Sequence, residues 1–62
     1  MKQIVFFRSQ GNWMAKLIND PETTKLMGTS IIPTAFKDTM PPWDINDILG
    51  PNWPDHKVRI QP

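Results

Sequence analysis

The 62 residues carry a formal net charge of +1, seven prolines and no cysteine. A chain of this length buries only about 60% of the surface its unfolded form exposes, and without cysteine neither disulfides nor thiolate metal sites are available to staple it. The near-neutral charge does not make nucleic acid the default partner, and the apolar run Ile4-Val5-Phe6-Phe7 is far shorter than a signal-peptide core or a membrane span, so one cytoplasmic domain over residues 1–62 with no membrane contact is expected.

Ile4 to Ile18 comprises two apolar runs separated by a turn and reads as a β-hairpin. Gly11-Asn12 accepts positive φ between strands, and β-branched and aromatic residues flank it. A two-residue loop there opposes Gln10 with Trp13, Arg8 with Ala15, Phe6 with Leu17 and Ile4 with Asn19, and opposed residues share a face. One face then carries Ile4, Phe6, Trp13, Ala15 and Leu17, the other Val5, Phe7, Ser9, Met14, Lys16 and Ile18. Both are apolar, whereas a surface hairpin ordinarily alternates apolar with polar, so either both faces are covered or one awaits a partner.

Asn19 to Gly28 carries helix punctuation. Asp20 suits the N-cap, Pro21 the first helical position, Lys25 the C-terminal end of the dipole and Gly28 a positive-φ stop. Only one or two turns fit, and Thr23 and Thr24 weaken them, so a 3₁₀ turn competes with an α-helix. In Thr29 to Phe36, Ile31-Ile32 before Pro33 favours a short extended strand. Pro33 places that strand at an edge or ends it.

Pro41 to Pro51 is the clearest helix, with proline at its start, Asp44 in its first turn and Gly50-Pro51 as a stop. Ile45, Ile48 and Leu49 form its apolar stripe, expected to cap one sheet face, while Asn46 and Asp47 project away. Pro51 to His56 is a connector, and Lys57 to Gln61 alternates as a last strand with Val58 and Ile60 inward. The helix between extended segments favours a parallel pairing for that strand, with either residues 2–8 or 30–32. The expected fold is α+β in the order β-β-β-α-β, a small sheet built on the hairpin with one short helix on one face.

Lys2, Arg8, Lys16, Lys25 and Lys37 outweigh Asp20 and Glu22 in the first 37 residues, and Asp38, Asp44, Asp47 and Asp55 outweigh Lys57 and Arg59 in the rest. With no block of like charges, the simplest reading is an acidic half packed beside a basic half. Trp13 and Trp43 read as core or core-rim residues. Trp53, between Asn52 and Pro54, either pins its loop to the sheet, the favoured reading, or stands exposed as a contact residue.

Catalytic chemistry is poorly supplied. His56 is the sole histidine, its neighbour Asp55 is badly placed to orient it, and no Gly-x-Ser-x-Gly elbow surrounds Ser9 or Ser30. Asp44 and Asp47 share a helical face but match no calcium or zinc spacing. No catalytic, cofactor or metal site is expected, and the chain reads as a non-enzyme. Lys16, Phe7 and Met14 interleave basic and stacking groups, yet the RNP and Gly-x-x-Gly signatures of RNA-binding modules are absent.

Trp13-Met14-Ala15 on the second hairpin strand resembles the start of HicB-type antitoxins, which implies a β-β-β-α-β core like a partial RNase H fold and a regulatory role. The likeness covers less than a third of the chain, which lacks their Pro-Asp-hydrophobic-Pro-Gly stretch and has a far shorter helix. The expected function is therefore a protein-interaction module that binds a protein partner or a second copy of itself through Val5, Phe7, Met14, Lys16, Ile18 and Trp53. A nucleic-acid-binding or antitoxin-like regulator is the alternative, and an enzyme subunit stands behind both. The rival structural reading folds Thr29 to Phe36 and Trp53 across the same face as a second small core.

Overall fold

A computed structural model describes residues 1–62. The chain forms β1 (Gln3–Ser9), β2 (Asn12–Ile18), α1 (Pro21–Met27), β3 (Ile31–Lys37), α2 (Pro42–Leu49), a 3₁₀ turn (Gly50–Asn52) and β4 (Lys57–Ile60). The expected α+β order is present, with α1 as a true α-helix between β2 and β3. The four strands make one mixed sheet in the order β3-β2-β1-β4. β1 is antiparallel to β2 and parallel to β4, which settles the partner of the last strand as the N-terminal one.

The hairpin turn lies one residue earlier than expected. Ser9 opposes Asn12, and Gln10 (φ 53°) and Gly11 (φ 83°) both take positive φ, the signature of a type I′ turn that matches strand twist. Asn12 is held in the sheet instead, opposite Lys37 of β3 and donating from Nδ2 to the Phe36 carbonyl at 3.3 Å. Every partner shifts by two residues as a result. Phe6 opposes Ala15 and Ile4 opposes Leu17, in place of the expected Phe6–Leu17 pair. A slip of two preserves parity, so the two faces keep their expected membership.

The core lies on the face of Ile4, Phe6, Trp13, Ala15 and Leu17, all buried and joined by Ile45 of α2. Ile32, Phe36, Met40, Leu49, Trp53, Val58 and Ile60 pack around them. The α2 stripe is narrower than expected: Ile45 is 0% exposed and Leu49 half-buried, but Ile48 is 48% exposed. Eight residues give barely two turns, and only the side nearest the sheet reaches it. Trp43 is 68% exposed, a correction to its expected core place. It stands in the first turn, where the helix enters from Pro41.

Trp13 is the buried anchor. Its indole Nε1 donates to the Met40 carbonyl at 2.9 Å, and the Arg8 guanidinium lies 4.4 Å from its ring centroid. β3 runs past Pro33 as an edge strand. The proline is tolerated because its missing N–H would have pointed outward. No helix is long and apolar enough to cross a membrane.

Candidate functional site

Alternation along the strands decides what the other sheet face presents. Val5 and Phe7 of β1 stand beside Lys16 and Met14 of β2, with Ile31 and Pro33 of β3 on one flank and Arg59 of β4 on the other. A shallow concavity of about 310 Å³ sits there, lined by Val5, Phe7, Lys16, Ile18, Ile31, Arg59 and Gln61. No residue of α1 or α2 lines it. Val5 is buried among its neighbours, Phe7, Met14 and Ile18 are half-buried, and Lys16, Ile31 and Arg59 are exposed. Thr29 to Phe36 does not fold across this face: its strand lies in the plane of the sheet.

Of the six residues expected to bind a partner, the structure brings Val5, Phe7, Lys16 and Ile18 into one concavity and sets Met14 beside Phe7 on the same face. Trp53 is on the opposite side. It packs against the core and lines a second, apolar cleft of about 330 Å³ with Phe6, Ala15, Ile32, Phe36 and Leu49. Pinning, the favoured reading of this tryptophan, is therefore its place, and it leaves the contact set. Ile31, Arg59 and Gln61 went unrecognised in the sequence. The inward assignment of Val58 and Ile60 already sends Arg59 and Gln61 to the other face, and only the pairing of β4 with β1 brings them beside the hairpin.

The acidic second half packs beside the basic first half, with α2 and β4 against the hairpin, and within that arrangement charge is also sorted by element. Of the seven cationic residues, Arg8, Lys16, Lys37, Lys57 and Arg59 are in strands, while all six carboxylates lie in helices, turns and connectors. By alternation Lys16, Lys57 and Arg59 fall on the open face. The open face is thus a largely apolar floor with Lys16 set within it between Val5 and Ile31, Lys57 and Arg59 along its β4 edge, and no carboxylate among its strands.

The remaining polar cluster joins Asp20 to His56. Asp20 caps α1, its Oδ1 accepting from the Thr23 backbone N–H at 3.1 Å, while Oδ2 lies 2.6 Å from His56 Nε2. The carboxylate only accepts, so Nε2 bears the proton. Hydrogen bonding from Thr23, then from His56, lowers the Asp20 pKa from 3.8 to about 2. His56 is edge-on to Trp53, with ring centroids 5.2 Å apart, and its Nδ1 is enclosed without a partner. His56 is thus a largely buried tie between the start of α1 and the connector into β4. No group of three or more His, Cys, Asp or Glu side chains is brought together. No protein-family model, curated protein or solved structure matches the chain.

Proposed function

We propose that the protein is a binding module whose open sheet face docks a protein partner with an apolar contact patch that carries acidic groups to meet Lys16 within the face and Arg59 at its β4 edge. One observation supports this above the rest: Val5, Phe7, Met14, Ile18 and Ile31 lie together on a face that neither helix covers, with Lys16 and Arg59 beside them. Uncovered apolar surface costs solubility unless it meets a partner, and the cations set on this face select the sign of that partner. A second copy docking through the same face would oppose like charges, so a different protein is the better occupant. Met14 suits such a surface because its thioether repacks against varied shapes.

The nucleic-acid reading is favoured by one fact, that the aspartates lie off this face and would not repel a phosphate backbone. Against it, Phe7 is the only aromatic residue the strands present there, and single-strand binders stack successive bases on several rings.

Replacing Phe7 with a photoreactive benzoylphenylalanine in the producing cell tests the proposal. A discrete protein adduct is expected, lost when Lys16→Glu and Arg59→Glu are combined and absent when the same probe replaces Trp43. No adduct from Phe7, or equal adducts from both positions, would contradict the docking face. Tight, steeply salt-dependent binding of a labelled single-stranded oligonucleotide would transfer the face to nucleic acid.

A further inference from the structure

The two edges of the sheet are not equivalent. On β3 the edge is guarded: Pro33 has no N–H to offer, and the Ile31 N–H is taken by Thr29 Oγ1 at 3.1 Å. Such devices stop another chain from adding to a sheet. β4 lacks these two; its guards are its length of four residues and the charges of Lys57 and Arg59, which repel a cationic strand and are neutralised by an acidic one. Its Lys57 N–H donates to the Lys2 carbonyl at 2.9 Å, and the Gln61 N–H donates to the Phe6 carbonyl at 2.8 Å. Residues 57, 59 and 61 therefore direct their backbone groups at β1, and alternation turns those of Val58 and Ile60 outward. No proline, bulge or side-chain cap occupies that edge.

We infer that the β4 edge accepts an extended segment of the partner as a fifth strand, with acidic side chains on the open face and apolar ones on the core face. This rests on the docking reading above and specifies the partner's conformation and chemistry. A strand laid beside β4 sets alternate side chains next to Lys57 and Arg59 on one face and next to Val58 and Ile60 on the other. Opposite charges stabilise cross-strand neighbours and like charges oppose them. That excludes a second copy at this edge, because no strand of this chain carries a carboxylate and β4 against β4 would set cations against cations. Backbone hydrogen bonds supply the affinity of such strand addition and the alternate side chains its selectivity.

Four synthetic hexapeptides probe the edge: Thr-Glu-Val-Glu-Val-Thr, the same sequence with lysine for both glutamates, and two forms of the glutamate peptide N-methylated at alternate residues, one in each register. With the full-length ¹⁵N-labelled protein, the glutamate peptide should shift β4 resonances and slow amide exchange at Val58 and Ile60. The lysine peptide should bind at least roughly tenfold more weakly, because it opposes like charges across the strands. N-methylation in the register that faces β4 should abolish binding, since it removes donors without touching side chains. Unchanged Val58 and Ile60 exchange, equal binding by the N-methylated peptides in both registers, or no binding of the glutamate peptide would each overturn the strand-addition proposal. A persisting Phe7 adduct alongside such a failure would leave the docking face standing, whereas loss of the adduct would remove the docking reading itself.

Discussion

At the scale of single residues, Asp20 does more than its place in the sequence announces. It caps α1 and holds the only histidine, and both contacts favour its ionised form. Its folded pKa of about 2 lies below the ordinary 3.8, so the unfolded chain binds more protons between those values. The stabilisation is therefore complete above the ordinary value and is lost as pH falls through that window. Urea midpoints followed downward through it should drop more steeply for the native protein than for Asp20→Asn, and parallel curves would show that the carboxylate is not coupled to folding. Leu17, opposite Ile4 in the core, is a simpler case. Leu17→Ala should cost about 2 to 5 kcal/mol by lost transfer energy and cavity formation, whereas the exposed Lys16→Ala should leave the midpoint where it was.

At the scale of elements, α2 is the one helix on the core face, and its contribution is concentrated in one residue. Ile45 is fully buried while Ile48 is largely in water. Ile45→Asp should abolish the cooperative unfolding transition, because it places a charge without a partner in the centre of the core. Ile48→Asp should be tolerated to within about 0.5 kcal/mol, as is usual for surface changes. Equal damage from the two, read by circular dichroism and thermal melting, would mean that the helix is rotated on the sheet. The two edge strands invite the same kind of comparison. Guarded β3 should gain no protection when a strand-forming peptide is added, and open β4 should.

At the scale of the whole molecule, the sorting of five cations into the strands and of every carboxylate out of them leaves the open face without an acidic strand residue. Lys16→Glu with Arg59→Glu should scarcely change stability, since both side chains are exposed, yet it should reverse the response of docking to the charge of the partner. Self-association through the open face should be absent at low ionic strength, where like charges repel over the longest range. A concentration-dependent dimer in sedimentation, abolished by Phe7→Glu, would make the second copy the occupant after all. Only eight residues are buried, so the stability margin is narrow and single core truncations should suffice to unfold the chain.

How much was legible beforehand follows from the range of the interactions concerned. The α1 caps were readable because Asp20, Pro21 and Gly28 act on backbone groups within a few residues, and the two hairpin faces were readable because parity survives a two-residue error in the turn. The register itself was not, since Asn12 is drawn into the ladder by Phe36 and Lys37, more than twenty residues away. The exposure of Trp43 and Ile48, the side of the sheet to which Trp53 pins its loop and the Asp20–His56 tie likewise depend on how α2 and its following turn settle across the sheet. Local composition determined the elements and which side chains share a face. Which face is covered, which edge stays open and where the charges collect were decided by tertiary packing, because each depends on strands brought together from opposite ends of the chain.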